Sequence, residues 1–98
     1  MLNIKEAKEE LTNKSYKDIQ TETAYKWSSR AIACYEFQME TSNKKEKLMW
    51  WTLGVEYQAE GIEHAALTED NAILIAKLEK ELIDYHKKAQ KDIEKLFD

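Results

Sequence analysis

The chain has no proline, two glycines and one cysteine. Each scarcity excludes a class of architecture. A β-sandwich needs frequent turn residues between short strands, and these are missing. A dinucleotide or P-loop enzyme needs a glycine-rich phosphate loop, which two glycines do not supply. Cys34 has no second cysteine to pair with, so a disulfide-stapled secreted module is excluded as well.

Arginine is scarce too. Of fifteen Lys and Arg residues, only Arg30 is arginine. Lysine is the common solvated cation of helix surfaces, whereas bidentate phosphate reading favours arginine. A net charge of −4 adds long-range repulsion from nucleic acid. No nucleic-acid partner is expected. Long apolar runs are also missing: the longest, Ala72-Ile73-Leu74-Ile75-Ala76, falls far short of the roughly 20 residues that span a bilayer. No membrane association is expected. Met1 to Glu10 is charged and lacks the apolar stretch of a signal peptide. With an unpaired cysteine, this predicts a cytoplasmic protein.

What remains is a helix-forming composition, 43% hydrophobic and 35% charged over 98 residues. That length suits one domain, here taken as a helical bundle spanning 1–98. Polar clusters must supply the breaks: Thr12-Asn13-Lys14-Ser15, Thr41-Ser42-Asn43-Lys44 and Thr68-Glu69-Asp70-Asn71. Their side chains cap helices or compete with the helical backbone. Ser15 with Asp18 resembles a capping box, and Thr68 precedes two acids suited to a helix start. Three long helices are predicted, at about 16–41, 44–67 and 69–97, together with a short amphipathic helix at 3–12 built on Ile4, Ala7 and Leu11. The fold class is all-α, an up-down-up antiparallel bundle.

The last helix has the clearest periodicity. Ile75, Leu78, Leu82, Tyr85, Ala89, Ile93 and Leu96 step by three or four residues, and lysines and glutamates cover the other faces. His86, on a lysine-rich segment, is expected at the surface. The first long helix packs through Tyr16, Ile19, Trp27, Ala31, Cys34 and Phe37. Gln20, Thr23, Arg30 and Gln38 interrupt that face and require hydrogen-bond partners. Tyr25, Ile32 and Met39 form a second apolar line.

The helix at 44–67 is apolar on two sides. Leu48, Trp51, Val55, Ala59, Ile62 and Ala66 form one stripe; Trp50, Leu53 and Tyr57, continued by Gly61 and His64, form another. Such a helix needs two neighbours. It is either the central helix of the bundle, or it buries one stripe against a second subunit. Three tryptophans and five tyrosines exceed what one thin seam absorbs, which favours a homo-oligomer, a dimer by default. Trp50, Trp51, Tyr57, Tyr25 and Ile32 are the expected interface residues.

One stretch could carry chemistry. Glu56, Glu60 and Glu63 fall within about 60° of one another on the helical wheel, and His64 stands one turn beyond Glu60. Carboxylates and an imidazole on one side of a helix can hold Fe, Mn or Zn once a second helix completes the set, and Glu22, Glu36 and Glu40 are available. The run Glu63-His64-Ala65-Ala66 resembles the end of the Glu-x-x-His pair of ferritin-like di-iron bundles. Here Gly61 stands three before His64, and the carboxylate is displaced to Glu60. The likeness covers one turn. The alternative to a metal site is a solvated or lysine-paired acidic face, with Arg30 clamped onto one carboxylate across a helix interface. Gly61 is expected where a helix approaches Trp27 or Tyr35 closely.

No nucleophile has an activating base in recognisable spacing. Cys34 on an apolar face is expected to be buried. The sequence therefore favours a non-enzymatic bundle that needs no cofactor and acts through self-association or a protein partner. A carboxylate–histidine metal-binding bundle is the alternative.

Overall fold

The computed structural model describes residues 4–15, 24–67 and 72–97. Within these it describes the side chains of all but 24, 25, 64–67, 72–76 and 78. Every secondary-structure element among the described residues is helical. They are α1 (Ile4–Asn13), α2 (Ala24–Glu40), α3 (Lys44–Leu67) and α4 (Ala72–Glu94), followed by a 3-10 turn at Lys95–Phe97. The short helix at 3–12 and the long one at 44–67 appear close to the expected boundaries. Tyr16, Ile19, Gln20, Glu22, Thr23, Asp18 and the break at 68–71 lie outside the described residues. So do the side chains of Tyr25, His64, Ala66, Ile75 and Leu78.

The turn between α2 and α3 follows from cap chemistry. Asn43 Oδ1 accepts the backbone N–H of Glu46 at 3.1 Å, the standard satisfaction of an orphan donor in a first helical turn, worth about 1 kcal/mol. Glu46 turns back to accept the Thr41 hydroxyl at 2.7 Å. Thr41 Oγ1 in turn accepts the N–H of Asn43 at 3.2 Å. Three short polar side chains thus replace the backbone bonds that the chain reversal removes.

The central helix is α2 rather than α3, which removes the first of the two arrangements considered for the helix at 44–67. Helix α2 packs against α1, α3 and α4, while α3 and α4 meet each other only sparsely. Every residue from Trp27 to Tyr35 is buried. Small side chains explain this: Ser28, Ser29, Ala31, Ala33 and Cys34 let neighbours approach from all sides, leaving no face for solvent. Large groups fill the space between helices. Trp27 rests on Tyr57 with ring centroids 5.4 Å apart, and Phe37 stacks on Trp50 at 4.7 Å. These pairs run in opposite senses along α2 and α3. Gln38 meets Ala89 and Asp92 at the far end of α4.

Both glycines mark close approach to α2. A Cβ on Gly54 would lie 2.5 Å from the Tyr35 ring, and one on Gly61 would lie 2.8 Å from Ser28 Oγ and 3.5 Å from the Cβ of Trp27. On α4, Leu82, Ala89 and Ile93 are buried and Tyr85 is half-buried, as is Leu96 in the turn that follows, as their spacing predicts. Short α1 lies on the Ala33 side of α2 through Ala7, with Ile4 and Leu11 beside it. The radius of gyration, 13.1 Å, is that of a compact chain of about this length.

Candidate functional site

The buried polar groups of α2 find partners on three different helices. Arg30, fully buried, donates from Nη2 to Glu10 Oε2 at 2.6 Å, and its guanidinium lies 5.6 Å from the Trp27 ring centroid. This carboxylate is on α1. Lys8, on the same short helix, reaches Glu36 at 2.9 Å and Glu40 at 2.7 Å and sits over the Phe37 ring. Burial lowers the Lys8 ammonium, but the bonds to Glu40 and Glu36 outweigh this and hold it above its ordinary value. Glu36 also accepts the Tyr85 hydroxyl at 2.9 Å, which is the main reason that phenol is raised.

A second network ties the far ends of α2, α3 and α4. Lys47 Nζ donates to Asp92 Oδ2 at 2.7 Å and to the Gln38 carbonyl at 2.9 Å. Gln38 Nε2 donates to the Ala89 carbonyl at 2.8 Å and to Asp92 at 3.0 Å. The lysine thus sits at the negative end of the α2 dipole. Burial raises the Asp92 carboxyl, but hydrogen bonds from Lys47 and Gln38 more than compensate and hold it below the ordinary aspartate value.

The third network centres on Tyr35. Its hydroxyl donates to Gln58 Oε1 at 2.6 Å and lies 3.0 Å from His86 Nδ1. The His86 ring meets Tyr35 edge-on and tilts over Trp51, with centroids 5.5 and 5.1 Å away. His86 is therefore half-buried, a correction to the surface position expected from its lysine neighbours. Its place one turn after Leu82 and just before Ala89 was the available signal. Burial pushes the Tyr35 phenol up and the His86 imidazole down. Cys34, buried as expected, is pushed well above the ordinary thiol range by burial alone, which removes the thiolate that nucleophilic or redox chemistry needs.

The proposed metal set Glu56, Glu60, Glu63 and His64 is described only in part. Among the described residues, no three His, Cys, Asp or Glu side chains form a group that could hold a metal ion. Glu56 and Glu63 are exposed and Glu60 is half-buried, whereas Glu36 and Glu40 turn to Lys8 on the α1 side of α2. The side chain of His64 lies outside the described residues.

Two of the five expected interface residues lie in the chain's own core. Ile32 is fully buried and Tyr57 is 1% exposed, so neither is available to a partner of the folded chain. Trp50 and Trp51 are half-buried, Trp50 against Phe37 and Trp51 against Tyr35 and His86. Tyr35, Tyr57 and Trp27 fit around the small side chains of α2. Trp50 and Phe37 border an open depression of about 570 Å³ that also includes Met49, Glu40, Thr41 and Glu46.

Of the exposed large apolar side chains among the described residues, Leu48, Met49, Val55 and Ile62 lie on α3, Ile83 on α4 and Phe97 in the terminal turn. Leu48 is 41% exposed, Val55 40% and Ile62 58%; Thr52 and Ala59 between them are also exposed. Together they form one strip, because steps of four and three residues return to the same helix face. The Thr52 hydroxyl donates to the Leu48 carbonyl at 2.8 Å, so covering it leaves no unsatisfied donor. This strip shares Leu48, Val55, Ala59 and Ile62 with the first predicted stripe, but Trp51 of that stripe turns to Tyr35 and His86 instead; the second stripe, through Trp50, Leu53, Tyr57 and Gly61, faces α2.

No family model matches the chain, no curated protein matches it, and no solved structure matches it. Among the described residues, no helix is long and apolar enough to cross a membrane.

Proposed function

We propose that this protein acts by association rather than by catalysis, and that it self-associates through the outer face of α3. The observation that carries this reading is the continuous exposed strip Leu48–Thr52–Val55–Ala59–Ile62. Evenly spaced aliphatic side chains along an exposed helix face are a recurring form of helix–helix contact. The chemistry-bearing groups point the same way. Tyr35 and Cys34 are sealed in the core, and Arg30, Lys47 and Asp92 are engaged in ties between helices.

Magnitudes set the strength expected. Covering the exposed parts of Leu48, Val55 and Ile62 on two copies yields roughly 5 kcal/mol. Losses on association are on the order of 4 kcal/mol or more. The assembly is therefore weak and concentration-dependent. Sedimentation velocity over micromolar to millimolar protein tests it. A dimer is expected to accumulate with concentration, and Val55→Glu with Ile62→Glu should shift the protein to monomer while leaving its helical circular dichroism intact. A strictly monomeric wild type, or a dimer indifferent to both substitutions, contradicts the reading.

A further inference from the structure

The α3 strip carries information about how a second copy would lie on it. Leu48 and Ile62 stand seven residues on either side of Val55, about 10 Å away in each direction along the helix. Rotation by 180° about an axis through Val55 therefore sets Leu48 of one copy against Ile62 of the other, and Val55 against itself. The small side chains Thr52 and Ala59 fall between the larger ones, which lets the two backbones come close.

Charge follows the same symmetry. The N-terminal end of α3 carries exposed Lys44 and Lys45, and its C-terminal half carries exposed Glu56 and Glu63. Lys45 and Glu63 are eighteen residues apart, five whole turns at 3.6 residues per turn, so they lie on one flank of the strip. In an antiparallel pair related by a two-fold axis, equal flanks face each other. Lys45 of each copy then comes beside Glu63 of the other, ten and eight residues from the centre. A parallel pair brings both basic ends together and both acidic ends together. Antiparallel packing also opposes the two helix dipoles.

We infer that the partner of this face is a second copy of the chain, docked with the two α3 helices antiparallel about a two-fold axis at Val55. The inference rests on the self-association proposed above, and adds its geometry.

Two experiments separate the geometry from the association itself. In the first, Leu48→Cys protein labelled with heavy nitrogen is mixed with unlabelled Ile62→Cys protein, oxidised gently with glutathione disulfide, and weighed intact. The mixed Leu48→Cys/Ile62→Cys disulfide should dominate by about ten-fold over either homodimer. Prevalence of the two homodisulfides overturns the antiparallel arrangement. In the second, Lys45→Glu and Glu63→Lys should each weaken dimerisation about five-fold at low salt, the scale of an exposed ion pair formed twice. The double variant should return to within about two-fold of wild type. A double variant weaker than either single one overturns the pairing. If the wild type is monomeric, or if Val55→Glu leaves the dimer intact, the self-association reading fails first. If Val55→Glu abolishes the dimer but the cross-links or charge reversal go the wrong way, only the geometry fails.

Discussion

Tyr35 Oη and His86 Nδ1 lie 3.0 Å apart, and the direction of the hydrogen bond between them is set by a third residue. The single hydroxyl proton goes to Gln58 Oε1, so the histidine nitrogen must donate. That places the proton of neutral His86 on Nδ1 and leaves Nε2 to titrate. Burial lowers the folded-state pKa below its ordinary value of 6.5, so the unfolded chain binds a proton more readily at this site. The stability contributed by neutral His86 is complete above about pH 6.5 and declines as pH falls from there through the folded-state value. His86→Asn retains a donor near the position of Nδ1 but cannot titrate. The expected outcome is a shallower fall in melting temperature between pH 6.5 and 5 for the variant than for wild type. Parallel curves would mean that His86 does not gain its charge at a cost to the fold.

The same tyrosine fixes the consequence of adding one carbon to α3. A Cβ at position 54 would lie 2.5 Å from Tyr35 Cε1 and 2.9 Å from Cδ1, and Tyr35 is held by Gln58 and His86. Gly54→Ala should destabilise by roughly 1–3 kcal/mol, outweighing the up to about 1 kcal/mol that alanine gains in a helix. Pairing it with Tyr35→Leu, which removes the obstructing ring, should recover part of that loss. Position 61 behaves differently. The obstacle there is Ser28 Oγ at 2.8 Å, the tip of a small side chain, so Gly61→Ala should cost less, and Gly61→Ala with Ser28→Ala should come close to wild type. Urea titrations of the four variants check both statements. A neutral Gly54→Ala would show that the ring moves freely.

Local chemistry was legible in the sequence and neighbours were not. Thr41, Ser42 and Asn43 announce a break because cap hydrogen bonds span only a few residues. The buried side of α4 follows from the spacing of Leu82, Ala89 and Ile93. The central position of α2 is another matter. Ser28, Ser29, Ala33 and Cys34 have no strong polarity, and their burial is decided by helices arriving from three directions. The contact of Arg30 with Glu10 was unreadable for the same reason: Glu10 stands on another helix, twenty residues away. The two-sided character of α3 was visible, but which stripe α2 would cover depended on where Gly54 and Gly61 allowed close contact.

The buried guanidinium gives a test of what holds α1 in place. Glu10→Ala removes a carboxylate that Arg30 meets at 2.6 Å and so weakens the pairing of a fully buried guanidinium. Removing one partner of a buried pair costs about 3–5 kcal/mol, whereas replacing the charge by an apolar group of similar volume is often close to neutral. Glu10 is 22% exposed at its side chain, so about 2–3 kcal/mol is expected for Glu10→Ala and less for Arg30→Met. The double variant should be more stable than Glu10→Ala alone, which denaturant midpoints would register as strong non-additivity. Amide exchange should show residues 4–13 losing protection first in Glu10→Ala. The account fails if Arg30→Met proves the more damaging single change.

Cys34 tests the core beneath these contacts. It is fully buried in α2, and burial holds its thiol protonated far above neutral pH. Reaction with an aromatic disulfide requires both exposure and ionisation, so it proceeds only when the chain opens. With a folding stability of about 5 kcal/mol or more, native protein should react at least about a thousand-fold more slowly than protein in denaturant. Gly54→Ala, which loosens the contact of α3 with Tyr35 beside this cysteine, should speed the native reaction in proportion to its loss of stability. Rapid labelling of the wild type without denaturant would mean that α2 is accessible along its buried face, and that the central helix is not sealed by its three neighbours.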